Sequence, residues 1–280
     1  ESQPRGVYTG AIGFVAPSGA PGPRASFSVG IRTVVIDGET GDAEYGTGGG
    51  VTYDSEPAAE YDEAILKARI LQYGRSRFEL LETLRWNPIT GWYWLDRHLD
   101  RLAASADYFG ISVDRGDVVD RLEAAVEGGE ESRVRLTVSR LGRIAVEVHR
   151  FHIEEVPSVG VAVDLEPVDT SSPFLFHKTT RREVYDERRR RHPDAQDVLL
   201  VNELGELTES TIANLAVKLD GTWYTPPIAS GCLPGVYRAA LLAEGRLVER
   251  PIHLNDLAEC EGIALVNSVR LWRSAFLIPG

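Results

Sequence analysis

Sulfur is scarce in this chain: its 280 residues include only two cysteines, Cys232 and Cys260. Two thiols in a chain of this size exclude a disulfide framework and point to a reducing compartment, here the cytoplasm. They form no metal-ligand cluster, and no metal is expected. Long apolar runs are also missing. No stretch nears the roughly 20 residues that cross a bilayer. The first residues lack the charged-then-apolar pattern of a secretory leader, so no membrane partner is expected. Basic charge is in deficit, with 30 Lys and Arg against 42 Asp and Glu giving a net charge of −12. That balance argues against a nucleic-acid partner. The basic run Arg188 to Arg191 with His192 stands just before Pro193 and reads as a solvated helix end, where cations favour the helix dipole. What remains, 43% hydrophobic and 26% charged residues, is ordinary for a globular protein long enough for two domains with real cores.

In chain order, residues 1–55 read as antiparallel strands over 6–15, 25–36 and 43–53, punctuated by glycine and proline. Helical spacing follows over 57–73, with Ala64, Ile65, Ala68 and Leu71 on one side. Three strands and one helix cannot enclose a core alone. Beyond them, strands are predicted over 78–86 and 92–95 across the turn 87–91. A helix over 98–109 has Asp96 as its expected N-cap and the stripe Leu99, Leu102, Ala106 and Phe109. A second helix covers 118–126, with strands over 133–139 and 144–151. A lobe then closes near 163–165, and 166–173 reads as a connection. The last third holds strands over 197–202, 215–219 and 262–266, a short turn over 207–209, and a helix from Arg238 opened by Pro234-Gly235.

The chemistry concentrates in Phe176-His177-Lys178-Thr179-Thr180-Arg181, with Tyr185 after it, and in Leu207-Thr208-Glu209-Ser210-Thr211-Ile212-Ala213-Asn214. A lone lysine in an apolar and hydroxyl setting suits an aldehyde cofactor, because a neutral amine must attack the carbonyl. Pyridoxal phosphate also needs a carboxylate at its ring nitrogen to act as an electron sink, and Glu209 is a candidate. Alone, one lysine and one glutamate are more often solvated charges.

The wider pattern is more specific. Six blocks carry it: 78–85 (Phe-Glu-Leu-Leu-Glu-Thr-Leu-Arg), His98-Leu99-Asp100-Arg101-Leu102, His177-Lys178-Thr179, 209–214, 233–238 (Leu-Pro-Gly-Val-Tyr-Arg) and Asn267-Ser268-Val269-Arg270. In this order they resemble the class IV pyridoxal-phosphate enzymes, which include branched-chain and D-amino-acid aminotransferases and aminodeoxychorismate lyase. The resemblance implies an α+β fold of two lobes, a small α/β lobe over 75–165 and a larger β-barrel-like lobe over 166–280. It implies pyridoxal 5'-phosphate held by Lys178, Arg101 as a phosphate ligand, and Glu209 at the ring nitrogen. Thr211, Ile212, Ala213, Gly235, Val236 and Ser268 are expected to contact the cofactor, Tyr185 to lie near it, and the chain to form a homodimer.

Residues 1–74 carry a second resemblance, through 4–13 (Pro-Arg-Gly-Val-Tyr-Thr-Gly-Ala-Ile-Gly), Ile31-Arg32-Thr33, Gly48-Gly49-Gly50-Val51, Glu60-Tyr61-Asp62-Glu63 and Lys67. These are similar to the C-terminal end of the chorismate-utilising enzymes, such as anthranilate synthase and aminodeoxychorismate synthase component I. In an intact enzyme of that family Arg32 would face a chorismate carboxylate and Glu63 would help hold magnesium. Those enzymes run to several hundred residues, so this stretch is expected to be a catalytically silent, antiparallel-sheet remnant within a synthase–lyase fusion, whose full length could engage a glutamine amidotransferase.

Two features favour the lyase among class IV reactions. Thr83 stands where the aminotransferases usually have glycine, and in the lyase that threonine is a catalytic-site residue. The preceding segment also resembles the synthase that makes the lyase's substrate, 4-amino-4-deoxychorismate; the products would be 4-aminobenzoate and pyruvate, in folate biosynthesis. Thr83 could instead simply pack in a strand. An amino-acid transaminase of the same fold, or an inactive part of a larger synthase, are the alternatives. Arg85, Arg140 and Arg181 are unranked candidates for the substrate carboxylates.

Overall fold

The chain divides after Arg77 into two units, Glu1–Arg77 and Phe78–Gly280. The computed structural model describes residues 5–19, 21–68, 71, 78–151 and 158–278. In the first unit β1 (Ala11–Val15) pairs antiparallel with β2 (Ala25–Val29), β3 (Val34–Ile36) pairs with β4 (Ala43–Tyr45), and α1 (Pro57–Ala68) follows. The strand expected over 25–36 is two strands, because Arg32 between them takes the left-handed conformation at φ 51°. A Cβ at Gly30 would lie 2.3 Å from the Val7 carbonyl oxygen, so that crossing needs glycine. The strand expected over 43–53 stops at Tyr45. Residues 69, 70, 72 and 73 of the expected helix lie outside the described ones. Lys67 Nζ bonds the Gly48 carbonyl at 3.0 Å and pairs with Glu63 at 2.7 Å. No side chain of α1 is buried, and Gly30 alone is buried among the described residues of this unit. It encloses no core by itself.

The second unit begins with β5 (Leu80–Asn87), the two-residue β6 (Gly91–Trp92), α2 (Leu95–Phe109), α3 (Arg115–Val126), β7 (Ser132–Val138) and β8 (Ile144–Arg150). The strands form an antiparallel sheet ordered β6-β5-β7-β8. One face packs on the two helices: Leu80, Leu84, Val134 and Leu136 meet Leu99, Leu102, Val118 and Leu122 in one cluster. The stripe read from the sequence is the buried face of α2. Each fully buried leucine contributes about 2 kcal/mol by transfer from water. The start of α2 departs from expectation. Trp94 and Leu95 are not strand, and Asp96 is not the cap. The helix begins at Leu95 behind Trp94, whose φ is 53° and whose ring lies 5.0 Å from that of Tyr237. Aromatic packing holds a conformation that the residue type alone does not favour.

The remaining strands are β9 (Val159–Val168), β10 (Asp197–Asn202), β11 (Glu206–Ser210), β12 (Asn214–Leu219), β13 (Thr222–Thr225), β14 (Val248–Glu249), β15 (Ile252–His253), β16 (Gly262–Asn267) and β17 (Leu271–Leu277). Three helices join them: α4 (Glu183–Arg191), α5 (Val236–Ala243) and α6 (Asp256–Glu259). Six strands close on themselves in the order β12-β16-β17-β9-β10-β11 and back to β12. The alternation of side chains fills this barrel from both faces. Leu215, Val217, Ile263 and Leu265 join one cluster with Val161 and Leu199. Their neighbours Ala216, Ala264 and Val266 turn the other way, onto Tyr237, Ala240 and Leu241 of α5. Two expectations fail here. Residues 163–168 are barrel strand rather than lobe end and connection, because parallel pairing to β10 continues to Val168. Residues 207–209 are strand, not turn, with Leu207 paired to both β10 and β15 and Glu209 paired to β12.

Leu215 is fully buried inside the barrel, so Leu215→Ala should lower unfolding free energy by about 2–5 kcal/mol in urea titration. A loss below about 1 kcal/mol would contradict a tightly filled interior.

Candidate functional site

Lys178 is fixed by backbone pairing across a long stretch of sequence. Its carbonyl accepts the Leu81 amide at 2.9 Å, the Thr180 amide reaches the Glu79 carbonyl at 2.9 Å, and the Glu79 amide bonds Thr180 Oγ1 at 2.9 Å. The preceding His177 is stacked on Tyr108, with ring centroids 4.3 Å apart, and its Nδ1 lies 3.0 Å from Ser105 Oγ. The lysine is held from both sides.

A cavity of about 280 Å³ surrounds it. The candidate catalytic and cofactor-binding residues of the class IV segment all line this space: Lys178, Thr83, Arg101, Tyr185, Glu209, Thr211, Ile212, Ala213, Gly235, Val236 and Ser268. Of the arginine candidates, Arg181 lines it too. Arg85 does not; it pairs with Glu131 and lies over the Tyr93 ring. Arg140 lies over the Phe78 ring, also away from the lining. Arg133, Arg135 and Arg182, outside the family blocks, also line the cavity, as do Asn214 and Arg270, which lie in those blocks without an assigned role. A strand-alternation count could have found Arg135, since it sits opposite Thr83 in the β5–β7 register.

The charges here are tuned by burial. Burial lowers the Lys178 pKa to about 8, helped by the Arg101 and Arg182 cations and opposed by Glu82 and Glu209. A minority of this amine, roughly a tenth at pH 7, is therefore neutral, far more than for an exposed lysine. Burial pushes Glu209 up to about 7 against the hydrogen bonds it accepts. Tyr185 Oη donates to Glu209 Oε1 at 2.8 Å, while Asn214 Nδ2 at 3.3 Å and the Leu233 amide at 3.2 Å donate to Oε2. All three donors are neutral; the Lys178 and Arg182 cations also pull Glu209 down, but together with these bonds they do not offset burial. The Tyr185 hydroxyl is itself pushed well up by burial and by Glu209.

Glu82 shows the opposite outcome. Burial would raise it, yet Arg101 and His98 outweigh that and lower it to about 2. Arg101 donates from Nε at 2.8 Å and Nη2 at 2.6 Å to the two Glu82 oxygens, and from Nη1 to the Pro234 carbonyl at 3.1 Å.

The next residue, Gly235, caps α5, whose start has no side-chain cap, leaving first-turn amides without an acceptor. A Cβ on Gly235 would stand 1.8 Å from Asn214 Oδ1, so glycine alone allows this close approach. Two expected contacts are differently engaged. The Thr211 hydroxyl donates to Asp197 at 2.5 Å and its amide to Asp197 at 3.1 Å, while Arg182 donates to its carbonyl. The Val269 amide after Ser268 is folded back onto Asn267 Oδ1 at 3.1 Å. Ser268 Oγ lies 3.4 Å from the Thr83 carbonyl oxygen.

The raised carboxyl has a sign that can be checked. A folded-state pKa above the unfolded one gives stability that is present at low pH and lost as pH rises through about 7. Glu209→Gln can keep its neighbours by turning its amide nitrogen to the Tyr185 oxygen. Without bound cofactor, its stability relative to the parent should improve by about 1–3 kcal/mol between pH 5 and pH 8 in urea titrations. A pH-independent difference would mean that Glu209 is not held up by burial.

Residues 79–276 match the amino-transferase class IV family, and residues 1–73 match the chorismate binding enzyme family. The chain is 33% identical over 185 residues to a Schizosaccharomyces pombe protein named "Putative aminodeoxychorismate lyase", covering 63% of this chain and 80% of that one. Over 68 residues, 24% of this chain, it is 47% identical to the aminodeoxychorismate synthase of Streptomyces griseus, but spans only 9% of that protein. The solved structure named "Putative amino-acid aminotransferase" from Mesorhizobium loti superimposes with a TM-score of 0.69 at 35% identity, covering 72% of this chain and all of that one. The cavity lies wholly within the matched 79–276 segment, and by that match and its barrel the chain belongs to the class IV aminotransferase family.

Proposed function

We propose that this chain is a pyridoxal-phosphate-dependent 4-amino-4-deoxychorismate lyase, releasing 4-aminobenzoate and pyruvate, fused behind part of a chorismate-binding synthase. The observation that carries this reading is Thr83 on β5, which lines the cavity together with Lys178 at the position where the family's aminotransferases usually have glycine. The presence of both family matches on one chain, and the likeness to the Schizosaccharomyces pombe protein, support it.

The residues fit the cofactor. Lys178 offers a partly neutral amine to an aldehyde. Glu209, buried and with only neutral hydrogen-bond donors, suits a protonated ring nitrogen. Arg101 and the first turn of α5 suit a phosphate, through a fixed guanidinium and unpaired amides. When bound, pyridoxal phosphate supplies an electron sink for a carbanion.

The protein's own work is proton traffic and orientation. Lys178 removes the proton from the amine-bearing ring carbon of the substrate. The C–O bond to the enolpyruvyl group breaks, the carbocycle becomes aromatic, and Lys178 or the Thr83 hydroxyl returns a proton to the departing fragment's methylene carbon. The substrate's two carboxylates need cations, and Arg133, Arg135, Arg181 and Arg270 line the cavity. Of the three arginines left unranked by the sequence, Arg181 is the one so placed. Aromatisation drives the reaction, so holding the ring in place is the larger task.

A transaminase remains the second reading, because the Mesorhizobium loti relative is named an aminotransferase.

Lys178→Ala should abolish both the visible absorbance of lysine-linked cofactor and turnover. Thr83→Val, which keeps the shape and removes the hydroxyl, should retain that absorbance and lower 4-aminobenzoate release by roughly a hundredfold or more. Full activity in Thr83→Val would remove the hydroxyl from the mechanism.

A further inference from the structure

Glu82 and His98 do not line the cavity, yet Glu82 is bound to Arg101, which does, and His98 is bound to Glu82. They are 1% and 0% exposed. Glu82 Oε2 takes the His98 Nδ1 contact at 2.7 Å, and the carboxylate takes both Arg101 contacts. An ionised carboxylate only accepts, so the His98 proton sits on Nδ1. Its Nε2 is then a buried acceptor without a partner among the described residues. Burying such a group costs free energy, and a buried ion pair is often no more stabilising than apolar residues of the same volume. Stability does not account for this cluster. Position does.

Arg101 has five N–H donors. Two go to Glu82 and one to the Pro234 carbonyl. The two left over are one on each terminal nitrogen, at the outer edge of the fork. Pro234 directly precedes Gly235, the cap of α5, so the same contact ties the guanidinium to the uncapped helix start. We propose that Glu82, braced by His98, is a positioning residue that turns the free edge of Arg101 toward the anion bound at the first turn of α5. Glu82 thereby sets the affinity for the phosphate group of the cofactor without touching it. This rests on the pyridoxal-phosphate reading above.

The phosphate group itself provides the test. The chain is titrated with pyridoxal 5'-phosphate and with pyridoxal, which has the aldehyde and the ring but no phosphate. The parent should favour the phosphorylated form strongly. Glu82→Gln should lose roughly 10- to 100-fold of its affinity for pyridoxal 5'-phosphate and little for pyridoxal, in line with the loss of a charge-assisted hydrogen bond. Arg101→Lys should lose the same preference, and adding Glu82→Gln to it should cost little more. Glu82→Asp, which keeps the charge and withdraws it by one methylene, makes the same comparison should the Gln variant not fold. Equal losses for both ligands, or a full extra loss in the double variant, would show that Glu82 is merely structural. A parent that binds neither ligand would overturn the cofactor reading itself, and an unchanged preference in Glu82→Gln would overturn the positioning role alone.

Discussion

Charge kept away from water is the constraint on which this site depends. Two glutamates are buried near one lysine and are shifted in opposite directions. Glu82 has a guanidinium fork and a histidine and stays ionised far below the usual carboxylate range. Glu209 has only a hydroxyl, an amide side chain and a backbone amide, and burial carries it to about 7. The difference lies in the partners, since both are almost fully buried. One carboxylate is satisfied inside the protein and can hold a neighbour still. The other has no cation bonded to it directly, and Lys178 and Arg182 do not offset its burial.

The fold supplies this through pairings far apart in sequence. β5 contributes Glu82 and Thr83 and holds the Lys178 carbonyl through its Leu81 amide. β11 carries Glu209 and is locked between β10, β12 and β15. α5 is packed on the outward-turned alanines of the barrel, which fixes where its first turn lies. Moving any of these elements would change the electrostatic surroundings of the lysine.

Much of the site was legible in the sequence because its chemistry is tied to residue type. A lone lysine among hydroxyls, a later glutamate and the glycine ahead of a helix all line one cavity. What was not legible depends on long-range geometry. The 207–209 stretch has polar residues that suggest a turn, but strands on both sides make it β-structure. Trp94 starts α2 through a left-handed conformation held by Tyr237, about 140 residues away, so Asp96 looked like the natural cap. Thr211 appeared free to serve a ligand, yet Asp197 takes its hydroxyl and amide. The family block pointed to Arg101 as a candidate phosphate ligand, but its tether to Glu82 was not legible, because a buried glutamate in a strand carries no periodic signal. The β-rich start of the chain was legible as lacking a core for the simplest reason: it has too few elements to enclose one.

The most direct test of the lyase account is product analysis. The purified chain with pyridoxal 5'-phosphate is given 4-amino-4-deoxychorismate, and 4-aminobenzoate, pyruvate and the cofactor spectrum are followed together. The account predicts equal amounts of the two products over many turnovers, with the spectrum returning to its starting form. Conversion of the cofactor to its amine form by amino acids, with no 4-aminobenzoate from 4-amino-4-deoxychorismate, would contradict it and make the chain a transaminase.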